Sequence, residues 1–330
     1  MNKRELLADF AHKKYGFFED ASVQVCEWNK KSLRGQGNCY KQDFYGADTI
    51  SCHQIAPTTF WCNNSCVFCW RPKEYMKGTP KKTADPKKMI EALIEERRNL
   101  ISGFGGHDKV SKETYSRARE SRHWAISLSG EPTLYKKLPE LISLLKKRKG
   151  TETVFLVSNG QNPKMLQKLW SESKKAKSEN ENSLPTQLYI SMVAPEEKLW
   201  KGITLNREKG GWKKYLRSLA LLKLLPCRTV IRLTVIKGMN DSKETQEKFA
   251  ELLEAVQTDF IEVKSYMWLG LSRKRLTAEN NPSHEYTKDF ALSLLKRMPS
   301  YKFESEKANS RIALLKNKGS KYKTKIIERN

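Results

Sequence analysis

The chain has 330 residues and a mass of 38.2 kDa, enough to bury a sizeable core in one large α/β domain or in two smaller ones. No stretch approaches the roughly eighteen uninterrupted apolar residues of a membrane-spanning helix, and the charged N-terminus lacks the apolar core of a signal peptide, so we expect a cytoplasmic protein with no membrane segment. The 62 Lys and Arg residues outnumber the 37 Asp and Glu residues, and the net charge of +25 favours a polyanionic partner such as nucleic acid, or adaptation to a hot or salty cell.

The first segment, residues 1–56, has weak periodicity and contains Cys26, Cys39 and Cys52, with twelve residues between neighbours. The chain has seven cysteines, and in a reducing cytosol an odd number argues against a disulfide framework and for metal binding or catalysis. From the residues alone, these three cysteines are explained equally well as structural thiols or as a zinc site. Cys227 stands apart, and we expect it to be a small buried apolar side chain.

From residue 57 onward, short apolar or β-branched runs alternate with longer segments of helical spacing. The predicted strands are 57–62, 123–129, 153–158, 187–193, 228–235 and 259–267. The predicted helices lie near 85–102, 136–149, 163–175, 212–225, 243–257 and 285–298. Strict alternation implies parallel strands joined by right-handed crossovers, and therefore an α/β fold, either a doubly wound sheet or a partial (βα)6 barrel.

The late strands carry charges on one face. Ile231 and Leu233 share a face of their strand while Arg232 lies on the other, and Glu262 and Lys264 alternate with apolar residues in the next strand. A fully packed barrel would have almost uniformly apolar strands, so inward charges indicate a barrel with a lined cavity. The alternative is that these charges lie on an exposed edge.

The end of the chain departs from the βα alternation. Segments 301–306 and 310–317 are predicted to pair as a hairpin before a basic tail. The sequence therefore divides into an N-terminal extension, 1–56, a barrel, 57–298, and a C-terminal hairpin with a basic tail, 299–330.

Cys62, Cys66 and Cys69 form a Cys-x3-Cys-x2-Cys run directly after the first predicted strand. Three thiolates this close can bind three corners of a 4Fe-4S cluster and leave one iron without a protein ligand. A closed zinc site would need a fourth ligand, which Cys52 or His53 could supply.

This run resembles the cluster motif of the radical S-adenosylmethionine superfamily, in which the open iron binds the amino and carboxylate groups of the methionine part. Two later blocks, "SGEPTLY" and "FLVSNG", resemble the superfamily's second and third motifs. The resemblance implies a partial barrel of the radical SAM type and contacts to S-adenosylmethionine from six residues of these two blocks and from the aromatic residue before the last cysteine. These are Phe68, Ser129, Gly130, Glu131, Pro132, Ser158 and Asn159.

A closer resemblance is to the archaeal-type tRNA 4-demethylwyosine synthases of wyosine biosynthesis. It is carried by "CVFCWRP", "SGEPTLY", "RTVIRLTVIKGMN" and "FIEVKSYMWLGLSRKRLTAENNPSH", and extends from about residue 20 to 315. In that family three cysteines like Cys26, Cys39 and Cys52 hold a second 4Fe-4S cluster. The flavodoxin-like domain of the eukaryotic form is missing from this sequence, so we expect an external electron donor of the flavodoxin or ferredoxin type.

The family condenses pyruvate with N1-methylguanosine beside the anticodon of tRNA-Phe, which makes it a carbon–carbon lyase. By resemblance, a reduced cluster cleaves S-adenosylmethionine, and the 5′-deoxyadenosyl radical takes hydrogen from the N-methyl group. The carbon radical then adds to pyruvate, which loses its carboxyl carbon, and the third ring of 4-demethylwyosine closes. We expect the protein to act as a monomer.

Lys41 follows Cys39 by two residues, and it matches the lysine proposed in the family to hold pyruvate as a Schiff base. A desolvated lysine beside a cluster can lose its proton and attack a ketone. The alternative is that pyruvate chelates the open iron of the second cluster.

The tRNA must present its base to the cavity, which requires pulling the nucleotide out of the anticodon stack. Basic runs at 71–88 and 316–329 flank the predicted site and suit phosphate contacts. The substrate and RNA contacts that we predict are Arg71, Arg232, Lys264 and Arg273, with Tyr45, Trp70 or Trp268 stacking on a base.

One position departs from the family pattern. Val193 stands where the family usually has the Asp of an Asp-Ala-Pro sequence, and Glu196 or Glu197 could compensate for it. Two other functions remain compatible with the motifs: a two-cluster tRNA methylthiotransferase, and a non-catalytic zinc-containing RNA-binding protein.

Overall fold

The computed structural model describes residues 8, 10, 12–73, 76, 78, 80, 82–178 and 181–328. Three residues of the predicted basic runs, Lys77, Lys81 and Arg329, lie outside the described residues. Within the described ranges, every helix is too short or too polar to cross a membrane.

Ten strands form one continuous sheet in the order β1-β2-β3-β4-β5-β6-β7-β8-β10-β9. The six strands from β3 to β8 pair in parallel, while β1 with β2 and β9 with β10 add antiparallel edges. The strands are β1 Tyr15–Phe18, β2 Ala21–Gln24, β3 Cys52–Ala56, β4 His123–Ile126, β5 Thr153–Ser158, β6 Gln187–Met192, β7 Arg228–Val235, β8 Phe260–Ser265, β9 Tyr301–Lys307 and β10 Ile312–Asn317.

The larger helices pack against the outer face of the parallel strands, where their apolar stripes and the outward strand residues form one large core. Side-chain caps begin several of them: Asp85 accepts from the backbone N–H of Lys88, and Ser242 from that of Thr245. The helices are α1 Glu27–Leu33, α2 Tyr40–Tyr45, α3 Pro86–Ile101, α4 Lys112–Ala118, α5 Leu138–Lys147, α6 Pro163–Ser173, α7 Glu197–Thr204, α8 Gly211–Leu222, α9 Lys243–Val256 and α10 His284–Leu295.

The predicted partial (βα)6 barrel, the six predicted helices and the C-terminal hairpin are confirmed, with small differences at their ends. The first strand was predicted wrongly at 57–62, because β3 ends at Ala56 and a turn follows. The threonines of that turn bond to other segments instead of a ladder: Thr58 Oγ1 donates to the Glu131 carbonyl and Thr59 Oγ1 to Ser22 Oγ. Strands from all three predicted segments join one sheet, so the division at 56 and 298 stays a prediction.

The interior of the barrel is filled at one end by the short helix α2. Its aromatic residues Tyr40, Phe44 and Tyr45 form a buried cluster with inward residues of four strands, which are Phe155, Tyr189, Val230 and Phe260. This inner cluster occupies the amino-terminal half of the strands. The carboxyl ends, where the three-cysteine loop follows β3, stay open to a cleft.

The basic tail lies across the amino-terminal end of the barrel, the end opposite the three-cysteine loop. Arg228, the first residue of β7, donates to the carbonyls of Lys323 and Thr324 at 2.5 and 2.9 Å. The backbone N–H of Ile326 donates to the Tyr45 carbonyl at 3.0 Å. The tail backbone is therefore bound to α2 and β7, and a role of its lysines in RNA binding stays a prediction.

We expect Gly46→Ala to destabilise the protein and to loosen this tail. Gly46 has φ +78°, and a Cβ there would lie 2.1 Å from the carbonyl oxygen of Ile327. The left-handed backbone alone costs a non-glycine residue about 1–3 kcal/mol, and the tail must also move. Urea unfolding of the purified variants measures the loss.

Gly150→Ala is the matched control, because Gly150 has φ +86° and no neighbouring atom within 4 Å of the added Cβ. It carries the conformational cost without the contact. Equal losses of unfolding free energy in the two variants would mean that the tail contributes nothing at this point.

Candidate active site

A cleft of about 220 Å³ opens at the carboxyl ends of β3, β4, β5 and β6. Most of the residues predicted from the superfamily motifs line it together. They are Cys62, Cys66, Phe68, Cys69, Ser129, Gly130, Glu131, Ser158 and Asn159, and Arg71 joins them. Pro132 does not line the cleft and instead begins the short 3-10 helix Pro132–Leu134.

The three thiols of the loop after β3 converge. Burial, with smaller contributions from the nearby Glu131 and Cys69, raises the pKa of Cys62 to about 12. The pKa of Cys66 is also raised by burial and by both other thiols of the run. Three thiolates this close and this dry repel one another unless a cationic centre binds them, so the donor set fits a metal cluster.

The spacing of these thiols bears on which metal suits them. Among the described residues, no three His, Cys, Asp or Glu side chains are gathered as closely as a single metal ion requires. A four-iron cluster attaches each thiolate to a different iron atom, so its ligands stand further apart than those of one zinc ion. Three cysteine side chains lining one cleft are the ligand type of a 4Fe-4S cluster with one open iron, whereas a closed zinc site needs a fourth ligand.

Glu131 connects the loop after β4 to the loop after β5. Its Oε1 accepts from Thr133 Oγ1 at 2.6 Å, from the Thr133 N–H at 3.1 Å and from Ser158 Oγ at 2.8 Å. Its Oε2 accepts from the backbone N–H of Asn159 at 2.8 Å. These bonds offset part of the desolvation of the buried carboxylate, although burial still raises its pKa.

A second set of contacts joins the loop after β4 to the three-cysteine loop. The backbone N–H of Glu131 donates to the Trp61 carbonyl at 2.7 Å. Gly130 has φ +68°, and a Cβ there would lie 1.8 Å from the carbonyl oxygen of Thr58, so only glycine permits this approach. Asn159 Nδ2 donates to Asn63 Oδ1 at 2.8 Å. The three predicted motifs therefore form one hydrogen-bonded unit.

Val193 lines this cleft, and its carbonyl accepts from Asn240 Nδ2 at 2.8 Å. Glu196 and Glu197, the two acidic residues predicted to compensate for the family's Asp, form ion pairs with lysines. Glu196 pairs with Lys248 and Glu197 with Lys201, both at 2.7 Å. Neither glutamate lines the cleft, so the predicted compensation is absent among the described residues.

Sequence reasoning missed several other residues that line the cleft, which include Asn64, Ser191, Trp200 and Thr204. The alternation of inward and outward side chains along β6 could have identified one of these cleft residues. Tyr189 lies on the inward face of β6, and Ser191, two residues later, must share that face.

The N-terminal cysteines form a second converging set. Cys26 precedes α1, Cys39 precedes α2, and Cys52 begins β3. Burial, with smaller contributions from the neighbouring thiols, raises the pKa of Cys26 to about 11 and that of Cys52 to about 12. Asn29 links two of them, because its Oδ1 accepts from the Cys26 N–H at 3.2 Å and its Nδ2 donates to the Cys52 carbonyl at 3.4 Å.

Lys41 extends into the barrel between aromatic rings of two strands. Its Nζ lies 4.1 Å from the ring centroid of Phe155 and 4.9 Å from that of Tyr189. Burial lowers the pKa of Lys41 to about 8, and the charge of Arg232 acts in the same direction. The ammonium group is thus desolvated at the edge of the inner cluster.

The charges predicted to face the barrel interior do so. Arg232 Nε pairs with Glu262 Oε2 at 2.9 Å, and the hydroxyls of Tyr40 and Tyr45 donate to the same carboxylate at 3.1 and 2.8 Å. Lys264 Nζ donates to the Ser310 carbonyl at 2.6 Å. Because Glu262 is fully buried, the alternative of an exposed edge is wrong.

Two residues predicted to contact RNA are buried. Arg71 is 5% exposed, and it donates to the Leu128 carbonyl at 3.0 Å and to Gln24 Oε1 at 3.3 Å, which does not suit a phosphate contact at the surface. Tyr45 is inside the barrel with its hydroxyl on Glu262, so it cannot stack on an entering base.

Of the other predicted RNA contacts, Trp70 and Arg273 are exposed. Trp70 lines the cleft and is 45% exposed, and the backbone N–H of Leu271 donates to the Trp70 carbonyl at 3.1 Å. Arg273 is exposed, with its guanidinium 4.8 Å from the ring centroid of Trp268. Arg273 Nε also donates to the Trp268 carbonyl at 3.1 Å, so this exposed cation is held against Trp268.

We expect Glu131→Gln to destabilise the site and the fold. A carboxylate accepts hydrogen bonds on both oxygens, whereas the amide turns one of those positions into a donor that faces other donors. Leaving buried groups unpaired costs about 1–3 kcal/mol, which chemical unfolding would detect.

Glu120→Gln serves as the control, since Glu120 pairs with Arg122 at a half-exposed position and such pairs contribute at most about 1 kcal/mol. A loss at Glu131 no larger than at Glu120 would contradict its role as the link between the loops.

Comparisons with known proteins agree with this geometry. The Radical SAM superfamily model matches residues 56–253, and the Wyosine base formation model matches residues 255–317. Membership of the radical SAM superfamily implies S-adenosylmethionine and a 4Fe-4S cluster.

The S-adenosyl-L-methionine-dependent tRNA 4-demethylwyosine synthase of Pyrococcus abyssi is 40% identical over 297 residues, which cover 89% of this chain and 83% of the relative. The enzyme of the same name from Methanocaldococcus jannaschii is 35% identical over 333 residues and covers 99% of this chain and 100% of the relative. A solved structure of TYW1 with a lysine-pyruvate adduct bound has a TM-score of 0.85 at 35% identity, covering 98% of this chain and 99% of that one. The chain therefore belongs to the family of S-adenosyl-L-methionine-dependent tRNA 4-demethylwyosine synthases, which are radical SAM enzymes.

Proposed function

We propose that this protein condenses pyruvate with N1-methylguanosine beside the anticodon of tRNA-Phe, and so forms 4-demethylwyosine as a carbon–carbon lyase. The observation that carries the proposal is the position of Lys41 relative to the cleft. Phe155 and Tyr189 contact Lys41, while Val157 and Ser191, two residues further along the same strands, line the cleft. Two residues of strand span about 7 Å, so a ketone held by Lys41 would lie just beneath a nucleoside in the cleft.

Different cleft residues would bind the cluster and the separate parts of S-adenosylmethionine. Cys62, Cys66 and Cys69 would hold the cluster, which when bound supplies a hydrogen-abstracting radical from S-adenosylmethionine. Glu131 Oε2 accepts one hydrogen bond from the described residues and keeps a position for the methionine ammonium group. Ser158 and Asn159 line the same cleft, with Asn159 Nδ2 3.7 Å from Cys62 Sγ, and suit the nucleoside part.

Lys41 would hold pyruvate as a Schiff base. Its neutral amine attacks the ketone carbon, and water leaves as the imine forms. The aromatic walls of Phe155 and Tyr189 exclude bulk water from this step, while Arg232 places positive charge nearby for the pyruvate carboxylate. The lysine–pyruvate adduct bound in the related TYW1 structure supports the proposal.

Cys26, Cys39 and Cys52 would hold a second 4Fe-4S cluster behind Lys41. Their burial and mutual repulsion call for a cationic centre, as for the first set. Pyruvate bound to an open iron of this cluster remains the alternative to the Schiff base.

At the surface, Trp70 borders the cleft and suits stacking on a base, and the exposed Arg273, on the segment whose Leu271 N–H bonds to the Trp70 carbonyl, suits contact with a phosphate. The net charge of +25 would draw tRNA to this face. We further propose a cytoplasmic monomer that takes electrons from a flavodoxin or ferredoxin.

The direct test is a nucleoside analysis. Anaerobically reconstituted protein, tRNA-Phe containing N1-methylguanosine, pyruvate, S-adenosylmethionine and dithionite should together produce a tricyclic base with two extra carbons, seen by mass spectrometry. Omitting pyruvate should abolish the product. Cleavage of S-adenosylmethionine without a tricyclic base would reject the substrate assignment and leave the radical SAM chemistry standing.

Lys41→Ala should abolish tricyclic product, a loss of at least about a hundredfold if the amine is a covalent catalyst, with both clusters still assembled. Borohydride reduction in the presence of labelled pyruvate should attach label to the peptide that contains Lys41 in the wild type and not in the variant.

Lys223→Ala is the control, because Lys223 is exposed at the end of α8 and lies outside the proposed site. Label retained in Lys41→Ala, or found on another lysine, would contradict the assignment of the Schiff base to Lys41.

A further inference from the structure

Arg97 is a buried guanidinium with unused donors. It lies on α3, is 1% exposed, and donates from Nη2 to the Ile50 carbonyl at 2.8 Å. Its Nε and Nη1 have no hydrogen-bond partner among the described residues. Within the residues that the structure describes, Arg97 also forms no ion pair with a carboxylate.

This arrangement is costly without an anion. A buried cation that is neither paired nor fully hydrogen-bonded costs several kcal/mol, which explains why arginines are almost never fully buried alone. The acidic groups that act on Arg97 are the thiols of Cys52 and Cys26, and its charge in turn stabilises their thiolate forms. The hydrogen bond to Ile50, two residues before Cys52, places Arg97 beside this segment, and its charge acts on two of the three N-terminal cysteines.

We propose that Arg97 is the charge partner of the N-terminal cysteine cluster, donating from Nε and Nη1 toward its sulfur atoms and raising its reduction potential. The inference rests on the proposed second cluster. Hydrogen bonds and positive charge beside an iron–sulfur cluster favour the reduced form, because reduction adds a negative charge in a medium of low dielectric constant. Arg97 is a positioning residue in this role, since it acts through the cluster and contacts neither pyruvate nor the nucleoside.

The orientation of Arg97 fits this role better than a structural one. A single hydrogen bond to Ile50 would anchor the side chain, yet it uses only one of five N–H donors. Asn29 already bonds to the Cys26 backbone and to the carbonyl of Cys52. Lys41 acts on Cys39 and Cys52 as well, but Arg97 is the cation whose charge acts on both Cys26 and Cys52 and whose Nε and Nη1 are without a partner among the described residues.

The test isolates the N-terminal cluster in the full-length chain. Cys62, Cys66 and Cys69 are all replaced by Ala, and the parent variant is reconstituted anaerobically with iron and sulfide. About four irons per chain are expected, and a redox titration followed by electron paramagnetic resonance measures the midpoint potential.

Arg97→Met in this background should lower the potential. We expect at least a tenfold loss in the equilibrium constant for one-electron reduction, which corresponds to about 59 mV. Arg97→Lys, which keeps the charge without the fork of donors, should fall between the parent and Arg97→Met. Iron loss to a chelator should be fastest in Arg97→Met.

Arg98→Met is the matched control, because Arg98 neighbours Arg97 on the same helix and pairs with Glu95 at a half-exposed position. It should leave the potential and the iron content unchanged. An unchanged reduction potential in Arg97→Met, with four irons retained, would overturn the proposed role of Arg97 but not the second cluster.

Two other results would also overturn the inference. If the parent variant binds no iron while the wild-type chain binds four, the second cluster itself is absent and that part of the proposed function fails as well. If Arg97→Met and Arg97→Lys both unfold, as judged by circular dichroism, Arg97 has a structural role instead.

Discussion

The interior of this barrel depends on the ion pair and the hydrogen bonds of one buried carboxylate, that of Glu262. It accepts from Arg232 and from the hydroxyls of Tyr40 and Tyr45, so one side chain of β8 holds β7 and both ends of α2. Burial raises the pKa of both tyrosines, which keeps their hydroxyls protonated as donors. Removing one partner of a buried charge pair typically costs about 3–5 kcal/mol, so the placement of α2 inside the barrel is strongly specified.

The placement of α2 decides where the chemistry can occur. Helix α2 begins after Cys39 and carries Lys41 in its first turn, so fixing the helix fixes a thiol and an amine together. The tail closes the barrel beneath it through Arg228 and Tyr45. The tail therefore covers the amino-terminal end, and the proposed role of Lys41 requires substrates to enter through the cleft at the other end.

The two cysteine sets differ in how the chain supports them. The loop set is held by Glu131 and its neighbours, which connect three βα loops at the mouth of the barrel. The N-terminal set is held by two short helices and by the start of β3. The charged side chains of Arg97 and Lys41 interact with its thiols. The buried carboxylate of Glu131 organises the loops around the outer set, whereas the charges of Arg97 and Lys41 act on the thiols of the deeper set.

The sequence by itself determined the barrel, the Cys62, Cys66 and Cys69 loop and its three-motif site, because strand and helix periodicity and short motif spacing are local properties. The alternation of apolar and charged residues along the strands also predicted that Arg232 and Glu262 face the barrel interior. Tertiary structure alone decided that Thr58 and Thr59 form a turn, that Arg71 and Tyr45 are buried, and that Arg97 meets Cys26 and Cys52. Those outcomes depend on partners far apart in the chain, whose approach is set by packing and by the satisfaction of buried polar groups rather than by any local pattern.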